Sequence, residues 1–288
     1  MSSDTRVSGG GATITAPAAR PAPSALGELR ALWDARGLLW ALTWSDLHAR
    51  YTGSAVGFFW TVLVPVFELV VYTFVFHVLI GVKYHPSGGT GHYVLFLFCA
   101  IVTWHAFADG LVRATTAIRA HAHLVRKLNF PSVVLPAHLV LSSVVNQCIR
   151  LVVLFLAVAV AGPGPSWWML LVPVFVAVQA ALTLGLGLLL STMDVYLRDT
   201  SHWVNATLML AVFLTPVFYP ASAYPRQFVV FLYPNPMAQL VGIQQGLVMN
   251  QHLPHLNSML WAVVVAGLAL VVGASVFAHN RRKFPDLV

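Results

Sequence analysis

From residue 57 onward the chain alternates between apolar stretches of about twenty residues and short polar breaks. Six stretches recur: 57–81, 93–111, 132–161, 167–190, 203–219 and 260–279. Each is of a length that crosses a hydrocarbon core about 30 Å thick. The pattern predicts an all-α integral membrane protein with six transmembrane helices. The breaks carry turn chemistry: KYHPSGGTGH at 83–92 and GPGPS at 162–166. Polar, basic loops are expected at 112–129 and 191–201. Residues 26–47 have a different rhythm. Leu26, Leu29, Leu32, Trp33, Leu39 and Trp40 recur at near-helical spacing, with Glu28, Arg30, Asp34 and Arg36 between them. This predicts an N-terminal amphipathic helix lying in the membrane interface; the alternative is a helix packed on protein. Residues 1–25 are Ser-, Ala-, Gly- and Pro-rich and read as a disordered cytosolic tail without a signal-peptide core. The resulting division is tail 1–25, amphipathic helix and lead-in 26–56, membrane domain 57–279 and cytosolic C-terminus 280–288.

The segment between the last two spans is irregular. Pro220, Pro225, Pro234 and Pro236 interrupt two half-length apolar pieces, 228–233 and 237–248. Pieces too short to cross alone predict an outer reentrant hairpin, with a loop lying flat on the membrane as the alternative.

Composition supports the membrane reading. The chain is 58% hydrophobic and 9% charged, against about 25% charged in soluble domains. The net charge of +7 is carried mostly by basic residues beside spans, so it indicates orientation rather than nucleic acid. Lys and Arg gather in the N-terminal segment, after spans two and four, and at the C-terminus, while the opposite side carries only Lys83 and Arg226. By the positive-inside rule both termini are cytoplasmic. Cys99 and Cys148 lie inside apolar runs and read as buried small hydrophobes.

Candidate chemistry is sparse. None of the three lysines, Lys83, Lys127 and Lys283, precedes Ser or Thr, so no phosphate-cradling P-loop is present. The nine carboxylates are scattered. His121 and His123 form the single tight histidine pair and sit in a basic loop, without metal-ligand spacing elsewhere. Two intramembrane charges stand out, Glu68 in span one and Arg150 in span three. They can pair with each other; alternatively Glu68 faces a polar conduit, or Arg150 reaches the outer head groups. Aromatics line helical stripes: Trp60, Phe67 and Phe74, with Tyr72 and Phe76 alongside, Trp104 and Phe107 on span two, and Phe213, Phe218 and Tyr219 on span five. Such faces suit sugar stacking in a conduit or ordinary packing. The small pairs Gly53/Gly57, Ala181/Gly185 and Ala269/Gly273 permit close helix approach.

Four blocks together carry a family resemblance: DLHARYTGSAVGFFWTVLVPVFELVVYTFVF at 46–76, LVRKLNFPSVVLP at 124–136, DVYLRDTSHW with FLTPVFYP at 194–220, and YPNPM at 233–237. In this order and spacing the chain resembles the type-2 ATP-binding-cassette export permeases, in the subgroup exporting O-antigen, teichoic acid and related lipid-linked polysaccharides. Glu68 departs from that pattern, where an apolar residue is expected. The resemblance implies a bacterial plasma-membrane permease subunit rather than an enzyme, working as a homodimer above two copies of a separate cytosolic ATPase. That partner would bind ATP and Mg, leaving this chain without a cofactor. The substrate implied is a polyprenyl-diphosphate-linked glycan. The resemblance assigns ATPase coupling to residues 116–130, with Arg119, Leu124, Arg126, Lys127, Asn129 and Phe130 as contacts, and a gate role to the N-terminal amphipathic helix. Trp60, Phe67, Tyr72, Trp104, Phe213 and Tyr219 are the candidate channel residues. Two other readings stay open: a same-fold exporter of a small hydrophobic drug or lipid, and an integral membrane glycosyl or acyl transferase.

Overall fold

The computed structural model describes residues 24–50, 57–79, 90–126, 130–220 and 232–288. Among these residues every regular element is helical and no strand forms. Four helices are long and apolar enough to cross a membrane, and two further apolar helices are shorter.

The N-terminal segment forms two helices rather than one. α1 (Ala25–Asp34) starts on Ser24, whose hydroxyl accepts from the Gly27 N–H at 3.1 Å. The chain bends at Ala35 and continues as α2 (Arg36–Ala49). Glu28 is buried against Arg281, 2.6 Å away, whereas Leu26, Trp33, Trp40 and Trp44 are exposed. Glu28 turns inward alone, toward the Arg281 cation; Arg30, Asp34 and Arg36 stay exposed, and Ala31, Leu32, Leu39 and Leu42 pack against the bundle.

α3 (Trp60–Tyr72) contains Pro65 and passes into a wider π turn over Thr73–Leu79. α4 (Thr90–Ala120) is the centre of the bundle: 83% of its apolar window is buried, against 28–39% for the other three long helices. It does not stop where the charges begin. Residues 112–120, expected in a loop, prolong the helix because Arg113 and Arg119 find carboxylates on neighbouring helices. After the short α5 (Ala122–Val125) comes α6 (Val134–Ala161). α7 (Val172–Tyr196) follows one 3₁₀ turn at Trp167–Leu171 and likewise runs past its expected end at 190. α8 (Thr200–Leu214) is shorter than the expected 203–219 span. Pro216 forces Thr215 into an extended conformation and ends the helix.

α9 (Pro236–Gln245) continues into a π turn over Gly246–Asn250. α10 (Leu256–Asn280) leads through a 3₁₀ turn at Arg281–Lys283 into α11 (Phe284–Leu287). The expected apolar piece at 228–233 lies mostly outside the described residues, as does most of the 83–92 turn.

α7 and α10 make the most extensive helix pair, and the reason is the absence of side chains. A Cβ on Gly273 would collide with the Gly185 carbonyl oxygen, and one on Gly185 would collide with the Ala269 main chain. Only glycines permit that approach. Cys99 is fully buried as expected, but Cys148 on α6 is exposed in the single chain.

Candidate functional site

Three polar assemblies interrupt the apolar bundle. The first fastens α2 to α4 and α6. Asp46 on α2 pairs with Arg113 and accepts a hydrogen bond from the Ser142 hydroxyl at 2.6 Å. Arg50, one turn on, lies 3.5 Å from Asp46 and 2.8 Å from Asp109, which is itself 3.9 Å from Arg113. Burial works against the Asp46 anion, but the Arg113 and Ser142 hydrogen bonds and the Arg113 and Arg50 charges outweigh it and hold the carboxyl below its usual range. Burial likewise works against the Arg50 cation, and Asp109 with Asp46 more than compensates, so its pKa is raised. At Glu28 the balance falls the other way: burial pushes the carboxyl up and Arg281 only partly offsets it.

The second assembly is a cavity of about 330 Å³ between α3, α4 and α6. Arg50, His105, Asp109, Asn146, Gln147 and Arg150 are among its walls. The buried Asn146 amide nitrogen has no partner among the described residues. Arg150 is ion-paired with Glu68 across the α3–α6 interface, both side chains about one-fifth exposed. Of the alternatives open from sequence, the structure adopts the pair.

The third assembly is a knot of amides at the middle of the bundle. Gln147 and Gln179 exchange hydrogen bonds at 3.0 and 3.2 Å. Gln244 donates to Gln179 at 3.3 Å, and the Thr103 hydroxyl donates to Gln244 at 2.7 Å. The knot ties α4, α6, α7 and α9 together. It also sets the depth of α9: Gln245 donates to the Phe96 carbonyl near the start of α4, while Met237 shares a cavity wall with Trp104 and Phe107. Sequence reading overlooked this knot, although a glutamine inside an apolar run is a signal for interhelical hydrogen bonding. It also overlooked the Asp46–Arg113–Ser142 cluster.

The candidate channel aromatics divide. Phe67 and Phe213 are exposed, and Trp60 is half-buried. Tyr72 packs on Phe76, which meets Tyr93 edge-on at 5.6 Å, so this stripe anchors α3 to α4. Trp104 is buried and lines an apolar cavity of about 680 Å³ between α4, α7 and α8. The Tyr219 hydroxyl donates to the Phe213 carbonyl. No single pore within the described residues brings the six together.

The candidate coupling residues surround α5. Arg119 sits 3.0 Å from Asp194 at the end of α7. Arg126 donates to the main-chain oxygen of Val288 at 3.0 Å, and Leu124 and Phe130 pack partly against the cluster containing Val125 and Phe284. Lys127 and Asn129 lie outside the described residues. His121 stacks edge-on with His138 at 5.7 Å, and among the described residues no group of three ligating side chains is arranged for a metal.

Comparison with known proteins gives this geometry a lineage. The ABC-2 type transporter family matches residues 37–248, from α2 to the π turn after α9. The O-antigen export system permease protein RfbA of Myxococcus xanthus is 30% identical over 262 residues, covering 90% of this chain and 98% of that protein. A protein of the same name from Klebsiella pneumoniae is 28% identical over 255 residues, covering 87% and 95% of the respective chains. The chain belongs to the ABC-2 type transporter family, as a membrane-spanning transport subunit and not an enzyme.

Proposed function

We propose that this chain is the permease of a polysaccharide exporter, moving a polyprenyl-diphosphate-linked glycan from the cytosol across the bacterial plasma membrane. The observation that carries the reading is the end-to-end correspondence with permeases named for O-antigen export. In this reading α3 and α8 complete six spans, both termini are cytoplasmic, and the hairpin ending in α9 re-enters from the outer face. Two copies face each other across the exposed aromatic sides of α3 and α8, where Phe67 and Phe213 stand unburied in the single chain. Two copies of a cytosolic ATPase dock below, around α5. Leu124, Arg126, Lys127 and Phe130 supply the mixed basic and apolar contact such docking needs. ATP closes the ATPase pair, and the movement passes to the spans as a rigid-body switch.

Depletion of the protein in its own cell, followed by extraction of lipid-linked sugars, tests the substrate. The expected result is a cytosolic build-up of a polyprenyl-linked glycan with loss of that polymer from the envelope. The apolar cavity between α7 and α8 is the observation that favours the second reading, an exporter of hydrophobic drugs or lipids. Sensitivity to hydrophobic compounds without glycan build-up would select it. An Arg126→Glu, Lys127→Glu double variant is expected to uncouple ATP hydrolysis from export while the permease still assembles. Unchanged export would remove the coupling assignment.

A further inference from the structure

At the end of the bundle opposite α1 and α2, two adjoining cavities of about 440 and 680 Å³ lie between the chain entering α9 and the start of α10. They share Tyr233, Gln239, His255 and Ser258, and the larger adds Asn257 and Trp261. Three features of this groove act together. Among the described residues, no Asp, Glu, Lys or Arg lines either cavity. Two aromatic side chains are open, Tyr233 at 70% and Trp261 at 42% exposure. The polar groups are hydroxyls, amides and imidazoles. Gln239 uses its amide N–H groups on the Leu232 and Tyr233 carbonyls, which leaves its carbonyl oxygen as an acceptor. No described side chain hydrogen-bonds the Tyr233 hydroxyl, the Asn257 amide or the Ser258 hydroxyl.

An uncharged groove does not repay the desolvation of a phosphate or a carboxylate. A hydrocarbon chain would strand the amides and hydroxyls without partners. A neutral sugar satisfies both demands: its hydroxyls donate to and accept from amides, and its C–H faces lie on aromatic rings. We propose that this groove is a binding site for a segment of neutral oligosaccharide. As part of an exporter it would hold the glycan at the far end of the bundle and oppose its return, a role that rests on the polysaccharide reading above.

The test is saturation-transfer NMR on the full chain in lipid nanodiscs, with isomaltoheptaose as the neutral probe and heptagalacturonate as the acidic one. Transfer to isomaltoheptaose is expected, weakening about tenfold or more in Tyr233→Ala with Trp261→Ala and persisting in Trp261→Phe. Asn257→Ala removes one amide from an exposed position and gives a milder loss that does not depend on the double variant folding. No transfer in the wild type, stronger transfer to the acidic probe, or equal transfer in all variants would overturn the site. So would self-cross-linking through Asn257→Cys in the membrane, which would make the groove a contact between copies. The two readings fail separately. Glycan build-up on depletion with wild-type export in the double variant removes the groove and keeps the exporter. Sugar binding without glycan build-up keeps the groove and removes the exporter.

Discussion

Asp46→Asn is the sharpest perturbation of the link between α2 and the bundle. The substitution keeps the side-chain shape and the Ser142 contact but removes the anion shared by Arg113 and Arg50. A hydrogen bond to a charged group contributes about 1.5–3 kcal/mol. Here part of that is retained, because Asp109 stays 2.8 Å from Arg50 and 3.9 Å from Arg113. Both guanidiniums are about one-quarter exposed, so water screens what remains. The net cost is about 2 kcal/mol, which raises local opening of α2 about thirtyfold. Hydrogen–deuterium exchange in nanodiscs reads this directly: Arg36–Ala49 should exchange faster while Val172–Tyr196 stays unchanged. The pH dependence has a defined sign. The Asp46 carboxyl is held below its usual range in the folded chain, so its contribution is present above the unfolded value near 4 and is lost as pH falls through the lower folded value. Native-like exchange of α2 in Asp46→Asn, or the same acid sensitivity in the variant as in the wild type, would refute the reasoning.

Glu68→Gln leaves Arg150 without its counter-charge among the spans and is expected to cost about 2–3 kcal/mol. The exchanged pair Glu68→Arg, Arg150→Glu should recover most of the lost thermal stability. Gly273→Ala drives a methyl into the Gly185 carbonyl and is expected to cost about 3 kcal/mol or more, read as a lowered melting temperature. Gly267→Ala, where a Cβ meets nothing within 4 Å, should instead be neutral or stabilise by about 0.5–1 kcal/mol. Burial raises the Glu28 carboxyl pKa and Arg281 only partly offsets it, so the packing of α1 around this buried carboxyl becomes less favourable as pH rises from about 4.5 through the higher folded value. In Glu28→Gln, exchange of Ala25–Asp34 should lose that slope.

The helices were legible because hydropathy and turn residues are local signals. That Gly185 and Gly273 permit close helix approach was legible too, because they are small; that they meet each other across α7 and α10 was not. Helix ends were not. Arg113 and Arg119 look like the start of a loop until their carboxylates are known, and Asp46 and Asp194 stand far off in the chain. The burial of Glu28 was hidden for the same reason: its partner Arg281 lies some 250 residues on. Gln147, Gln179 and Gln244 were each visible as a polar residue in an apolar setting, but a knot exists only when four helices bring its members together.

The distribution of these contacts divides the fold mechanically. α4, α6, α7 and α10 meet through buried side chains and, at Gly185 and Gly273, through bare backbone. Interlocked surfaces of that kind shift only as a unit. α3 and α8 have no comparable seam. α3 holds to the bundle through the Tyr72–Phe76–Tyr93 stack and the Glu68–Arg150 pair, and α8 borders the cavity of about 680 Å³. Ion pairs beside a polar cavity can exchange partners, because water or a neighbouring carboxylate replaces the one that leaves. Backbone seams cannot. Movement of α3 and α8 against the α4–α6–α7–α10 core is therefore expected to cost less than movement within that core. The family match covers residues 37–248 and so includes both α3 and α8, which places them in the part of the chain shared with other ABC-2 transporters.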